Sequence, residues 1–432
     1  MNYTSKYTSL IYFFSIIILL SFSVPTISFA ETSTTTTEDL ISKIEAKNNI
    51  IKQLEEEIKQ YNLEVENANK QGVTLKNTIK TLDLTKKKIG VDINLTENKI
   101  SKTSLTINQL GVEINKTKNS IDVNKEAIKN AIKETFVLED MSILQVILSN
   151  KDIGDIWNEI DNIKQTQNLI RDKSKELAIL KTEMETKQSN LSGQKKSLLN
   201  LKQDLNGKKQ AVIYTTKEKE VLLAQTKNKE EAFKELVKTR EEQKAQFERE
   251  VYEYESELNL IIDENKYPVG KTGILSWPLD YVYITQKFGK TVAAKKLYVS
   301  GSHNGVDFRA STGTRVKNVL DGVIVGTGNT DAYPGCYSFG KWVMIKHSNG
   351  LSTIYGHLSV ISVSVGQTLQ TGDLIGYSGN TGYSTGPHLH IGVYATQGVR
   401  IEKYVNSRGC KQVTMPLADI KAYLDPLAYF PN

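Results

Sequence analysis

Proline is missing from more than half of this chain. Of eight prolines in 432 residues, none falls between Pro25 and Pro268, and 22 of the 28 glycines lie after residue 267. Proline breaks helices and glycine weakens them, so their joint scarcity points to long helix over that stretch. Aromatic residues make up only 8%, which is low for one large globular core; the length suits two or three domains instead. Beyond the first 30 residues no run is long and apolar enough to span a bilayer. There is no arginine-rich run and no basic stretch interleaved with aromatics, which argues against nucleic acid as a partner. Net positive charge is lacking from most of the chain. Up to Gly270, 40 Lys and Arg face 41 Asp and Glu; from Lys271 onward the balance is 15 to 8, so the net +6 belongs to the C-terminal third. That excess suits an anionic polymer or envelope surface and equally suits ordinary solubility.

What is present starts with a targeting segment over residues 1–30. Lys6 precedes the mainly apolar "LIYFFSIIILLSFSV" (10–24), and "SFA" (28–30) offers small residues at both specificity positions of a signal-peptidase site. The expected location is outside the cell, secreted or in the cell envelope. An uncleaved membrane anchor is the alternative, against which Pro25 and the shortness of the run both argue.

A heptad follows. Stepping by seven from Ile44 gives Ile51, Ile58, Val65, Gly72, Ile79, Lys86, Ile93, Ile100, Ile107, Ile114, Ile121 and Ile128, with Leu54, Tyr61, Leu75, Leu82, Ile89 and Leu110 between them. A second seam runs from Ile156 through Ile163, Ile170, Leu177, Met184, Leu191, Leu198 and Leu205 to Val212, then frays toward Phe233, Phe247 and Tyr254. Apolar residues at both a and d predict a coiled coil over residues 38–262. The apolar segment at 136–157 separates the seams and reads as the tip of an antiparallel hairpin. Each arm would hold about 100 residues, roughly 150 Å of helix. A parallel dimer that continues straight is the alternative. The tip closes the hairpin in one reading and docks a partner, or the chain's own C-terminal domain, in another.

Residues 263–273, "DENKYPVGKTG", end the heptad and read as a linker. From residue 274 to 430 short β-branched runs alternate with glycine turns ("GVIVGTG", "KWVMIKHSNG", "LSTIYGHL", "HLHIGVY"), predicting a mainly antiparallel β domain. The expected fold is therefore multidomain: a long α-helical coiled-coil hairpin, then a β domain.

All five histidines lie in that domain: His303, His347, His357, His388 and His390. On a strand His388 and His390 project from one face. His303 and Asp307 stand four apart in "HNGVD", and His357 follows a strand in "YGHL". Imidazole and carboxylate are both zinc ligands, and three of them with an open position make the pattern of a hydrolytic zinc site. Neutral imidazoles nearby could take up and return a proton.

At this point the ordered set of motifs becomes recognisable: "KFGKT", "SHNGVDFRASTGTRV", "DGVIVGTG", "WVMIKHSNGLSTIYGHLS", "GQTLQTGDLIGYSGNTGYSTGPHLHIGVY" and "YLDPLAYF". It resembles the lysostaphin-type zinc endopeptidases, which hydrolyse peptide bonds of peptidoglycan. The resemblance implies that His303, Asp307 and His390 hold Zn2+, that His357 and His388 flank the reacting water as catalytic residues, and that peptidoglycan is the substrate. The coiled coil is similar to that of murein hydrolase activators, which implies a regulatory region that meets an envelope or membrane protein. A non-enzymatic activator of another wall hydrolase is the second reading; such relatives have usually lost zinc ligands, and this chain keeps them all. A structural spacer or adhesin is the third.

His347, on a strand running into a turn, is expected to be structural, and Tyr355 to pack, although it could orient substrate. Cys336 and Cys410 lie in glycine-containing loops of an exported domain, where a disulfide is the simplest reading. Residues 247–262, "FEREVYEYESELNLII", fit the heptad poorly and carry aromatics to spare for contact with the β domain. The helical region is therefore expected to restrain basal activity until a partner or the wall displaces it.

Overall fold

The computed structural model describes residues 37–139 and 153–432, apart from 385, 406, 408, 409 and 411. The targeting segment at 1–30 and most of the tip at 136–157 lie outside the described residues. Long helices come first, then a mainly antiparallel β domain, as the pattern of proline, glycine and apolar period predicts.

The helical region is not two unbroken arms. Helix α1 (Thr37–Lys70) ends at a turn where Gly72 takes φ 91°, and α2 (Leu75–Glu139) begins just after it. Only glycine adopts that backbone without steric cost. Thr74 caps the new helix, its hydroxyl accepting from Asn77 N at 3.2 Å. α1 folds back along α2, with Glu55 and Lys99 2.9 Å apart and Thr81 donating to Asn69 at 3.1 Å. α2 runs antiparallel to α3 (Ile153–Thr226), as paired residues show: Asp83 with Lys219 at 2.6 Å, Thr96 with Lys208 at 2.8 Å, Thr117 with Lys187 at 3.2 Å, and Asn124 with Glu176 at 3.1 Å. At 65 and 74 residues these two helices are about 100 and 110 Å long, shorter than the expected 150 Å, because Gly72 on one side and the left-handed Lys227–Asn228 pair on the other each break an arm. The last helix, α4 (Glu230–Glu257), leaves the bundle for the β domain.

In the main sheet the strand order is β1-β2-β9-β6-β5-β4-β7. These are β1 (Ile284–Gln286), β2 (Val306–Arg309), β9 (His388–Ala395), β6 (Leu351–Ile361), β5 (Lys341–His347), β4 (Gly322–Asn329) and β7 (Thr368–Leu369), all paired antiparallel. Off this path, β3 (Arg315–Lys317) pairs with β8 (Leu374–Ser378), β8 pairs with β6, and β12 (Tyr423–Leu424) pairs with β9. A separate hairpin joins β10 (Val399–Tyr404) to β11 (Val413–Ala418). The central strands β6 and β9 are buried along nearly their whole length, which explains their dense apolar runs. A short helix, α5 (Val292–Leu297), lies between β1 and β2.

The core of the β domain does not begin at residue 274. Phe247 of α4 and Tyr267 are buried in the same cluster as Leu275, Phe308 and Phe430, and Ile262 packs against it. Asp263 exchanges hydrogen bonds with Gln397 at 3.1 and 3.2 Å. The segment read as a linker is thus fastened to the domain. The heptad frays there because Phe247 and Tyr254 serve a different neighbour: both rings meet Tyr404 edge-on, at 6.0 and 5.4 Å.

Candidate metal centre

The antiparallel register of β2 and β9 sets Asp307 directly opposite His390 and Arg309 opposite His388. His303, just before β2, is held by a two-way backbone bridge with Gly289. Its Nδ1–H donates to the Lys287 carbonyl at 3.1 Å, which leaves the Nε2 lone pair facing inward. Nε2 of His303 lies 3.2 Å from Nδ1 of His390 and 3.3 Å from Oδ1 of Asp307; the last two are 3.0 Å apart. These three groups are the one metal-capable cluster among the described residues, and all three are buried. Ligands at 2.0–2.1 Å around a tetrahedral zinc ion lie about 3.3–3.4 Å from one another. The triangle has that size, and a neutral imidazole and a carboxylate with converging lone pairs need a cation between them. The donor set therefore fits zinc. Gly305 makes room for the His390 ring: a Cβ there would come within 2.6 Å of His390 Cε1 and 2.7 Å of Nε2.

His357 and His388 complete the group. Gly356 pairs with His390 across β6 and β9, which brings His357 beside the triangle. His357 takes φ 58°, a costly conformation for a side chain of this size. Its backbone N–H bonds the Phe339 carbonyl at 2.7 Å and its Nδ1–H the Thr381 carbonyl at 2.8 Å. His388 donates Nδ1–H to the Gly386 carbonyl at 2.8 Å, with Ser384 Oγ 3.0 Å away; its Nε2 lies 3.7 Å from Asp307 Oδ1. The two rings are 4.5 Å apart, and in both the Nδ1–H is tied to a carbonyl while Nε2 carries the lone pair.

The electrostatics follow from burial. Burial opposes ionisation of Asp307, but the surrounding imidazoles of His303, His390 and His388 outweigh it and hold the carboxyl well below its usual range. Burial pushes His357 well below the ordinary imidazole range, helped by the neighbouring His388 and His390, and lowers His390 despite Asp307. These rings are kept neutral, as ligands and proton acceptors must be.

The other residues singled out in the sequence lie apart. His347 bonds the Asp321 carbonyl and Thr353 Oγ1, each at 2.9 Å, so both nitrogens are used. Tyr355 is fully buried, with its hydroxyl accepting from Val319 N at 3.0 Å; it packs in the core. Cys336 and Cys410 form a disulfide with Cα atoms 4.8 Å apart. It anchors the loop whose Phe339 fixes the His357 backbone.

Sequence reasoning missed Tyr298, whose ring stacks on His303 at 5.2 Å and 12°, and Phe339, 5.7 Å from His390. Their position in loops gave no periodic signal. It also missed the side chains that dock helix on sheet. Tyr377 donates to Asp204 Oδ1 of α3 at 2.9 Å, beside Gly207, where a Cβ would collide with the Tyr377 ring. Asn380, two residues before the Gly382 turn, donates to Glu218 of α3 at 3.2 Å.

An antiparallel sheet carrying a His-Asp-His triangle with two further imidazoles defines a candidate metallohydrolase. Residues 301–403 match peptidase family M23, so the chain carries a peptidase M23 domain within that span. Over 128 residues it is 39% identical to the DD-carboxypeptidase/endopeptidase Mpg of Neisseria meningitidis, covering 30% of this chain and 28% of that protein. Over 88 residues it is 50% identical to the peptidoglycan DD-endopeptidase ShyA of Vibrio cholerae (20% and 19%), and over 92 residues 42% identical to lysostaphin of Staphylococcus simulans (21% and 18%). The match thus spans 18–28% of the length of these curated relatives.

Proposed function

We propose that this protein is an exported zinc-dependent endopeptidase that hydrolyses peptide cross-links of peptidoglycan during cell-wall remodelling or cell separation. The observation that carries the reading is the triangle of His303, Asp307 and His390 with His357 and His388 presenting Nε2 beside it. The relative named as a peptidoglycan DD-endopeptidase supports the substrate class, and the apolar N-terminal segment supports export.

His303, Asp307 and His390 would hold the zinc ion. Bound there, it supplies Lewis acidity, polarising a carbonyl and lowering the pKa of water. The chain's own contribution is proton handling and positioning. His357 and His388 accept a proton at Nε2 and return it to the leaving amine, and each becomes a donor toward developing negative charge once protonated. The Thr381 and Gly386 carbonyls fix the tautomer of each ring and steady its cationic form. Tyr298 and Phe339 wall the site with apolar ring area.

The helical region serves, in this proposal, as the regulatory and partner-binding part, because α3 and α4 are docked on the loops around the site. The test is digestion of purified peptidoglycan by the full-length, zinc-loaded chain, with mass analysis of the fragments. New amine and carboxyl termini are the expected result. Full zinc occupancy with no cleavage, even after the helices are displaced, would overturn the enzyme reading in favour of an activator of another hydrolase.

A further inference from the structure

Lys244 of α4 sits where a surface helix has no need of a lysine. Its side chain is 5% exposed. The ammonium lies 3.8 Å from the centre of the Tyr383 ring and 4.7 Å from that of Tyr298, and it donates to the Leu297 carbonyl. Glu248, one turn further on, pairs with it at 3.2 Å and also accepts from Val299 N at 3.3 Å. Burying an ammonium is costly unless its three donors and its charge are all met, and here they are met by two ring faces, a carbonyl and a carboxylate.

The two tyrosines are not casual neighbours. Tyr298 stacks flat on His303. Tyr383 stands in the loop that leads into β9, next to Ser384, which touches His388. The ammonium therefore sits between two loops that flank the metal triangle. Glu248 belongs to α4 and would leave with it. Tyr298, Tyr383 and the Leu297 carbonyl stay, and that remainder is an uncharged cage of π faces and one acceptor, suited to a compact cation.

We propose that these three groups form an ammonium subsite beside the metal triangle, and that Lys244 occupies it in place of a primary amine of the substrate. The proposal rests on the reading of the metal centre as a peptidase site and adds a substrate feature to it: an unacylated amine, on a diamino-acid side chain or a chain terminus, near the scissile bond. It also gives restraint a chemical form, since α4 and the substrate amine exclude each other.

The test measures binding without turnover, on the full-length zinc-loaded chain. The probe is Nα-acetyl-lysine methylamide, and the control is the same molecule acetylated at Nε. Lys244→Ala combined with Glu248→Ala removes both side chains that clamp the 297–299 loop. Hydrogen exchange across Glu230–Glu257 should quicken in that variant. By calorimetry the variant should bind the lysine probe at least about tenfold more tightly than wild type does, and at least about tenfold more tightly than it binds the acetylated control. Adding Tyr383→Leu should erase the preference for the amine. Unchanged exchange would overturn the plug. Faster exchange with no amine preference would overturn the subsite. Neither readout depends on cleavage, so failure of the peptidoglycan assay would leave the binding result standing, and cleavage blind to amine acetylation would sink the subsite alone.

Discussion

The β domain and the helical region bury polar groups for opposite purposes. In the β domain, His303, Asp307 and His390 bring their ligand atoms within 3.0–3.3 Å of one another, the size of a triangle around a metal ion. In the helices, buried Lys88 and Asp204 and half-buried Asp92 and Lys208 form a lattice of opposite charges, with Lys208 3.0 Å from Asp204 and 3.9 Å from Asp92. That lattice is already neutralised and asks for no ligand. It fixes the register of α2 against α3, and through Tyr377 it fixes both against the sheet. Buried charge marks chemistry in one region and assembly in the other, and the sign of the neighbours tells them apart.

Zinc content sharpens that contrast most. His303→Ala, Asp307→Ala or His390→Ala should each leave the purified chain with less than about a tenth of the wild-type zinc and no measurable hydrolysis, since two ligands do not hold the ion. His347→Ala is the matched control from the same sheet. It should keep its zinc and lose about 1–3 kcal/mol of stability from two broken hydrogen bonds. Elemental analysis decides; a zinc-replete His390→Ala chain would break the assignment.

Next in size are the two histidines outside the metal triangle. His357→Ala and His388→Ala should retain zinc and lose about 10²–10⁴-fold in turnover, the usual range for a positioned acid or base. Near-wild-type rates in both, with zinc present, would remove them from the mechanism. Reduction of the Cys336–Cys410 bond comes third. Its residues are 74 apart in sequence, and in the chain-entropy model its loss costs about 4 kcal/mol, read as a lowered melting temperature under reductant. Because the bond anchors the Phe339 loop, activity should fall before the domain unfolds. A thermal scan unmoved by reductant would show the loop to be held by other contacts.

How far each region was legible follows from what its residues are tied to. The metal triangle was readable because its members must be those residue types at those spacings: strand period two puts His388 and His390 on one face, and Gly305 is required beside His390. The long helices were readable from period and from missing proline. The turn between α1 and α2 was not read, although its signal stood in the seam: Gly72, with Lys86, interrupts a heptad position otherwise held by isoleucine and valine. The docking of helix on sheet left no such trace. Lys244, Glu218 and Asp204 look like any solvated helix charge until Tyr298, Asn380 and Tyr377 arrive from more than 50 residues away. Tertiary pairing of that kind has no local period to betray it.

That docking also supplies the subtlest way to separate the regions, through pH. Glu255 of α4 is buried against the hairpin of β10 and β11, accepting from Ala418 N at 3.0 Å and from the Tyr423 hydroxyl at 2.8 Å, with Tyr394 close by. Burial pushes its carboxyl up from 4.5 to about 7. Glu218 of α3 is likewise pushed up to about 7, by burial first and by Asp331 of the β domain in addition, while the Asn380 amide and Arg240 of α4 oppose the rise. When docked, these groups keep a proton that they lose once exposed to water. The undocked state therefore binds fewer protons between about pH 4.5 and 7, and docking weakens as pH rises through that window. Below pH 4.5 the contribution is complete; above 7 it is gone. The shift on one such carboxyl corresponds to about 3 kcal/mol. Glu255→Gln keeps an acceptor for Ala418 N and Tyr423 while removing the ionisation. Hydrogen exchange across Glu230–Glu257 should accelerate from pH 5 to pH 8 in the wild type, beyond the intrinsic pH dependence of exchange, and change less in Glu255→Gln. The zinc triangle, which these carboxyls do not touch, should keep its metal over the same range. Identical exchange profiles in the two chains would mean that α4 is held by its other contacts, among them Phe247, Tyr254 and Lys244, with no contribution from proton uptake.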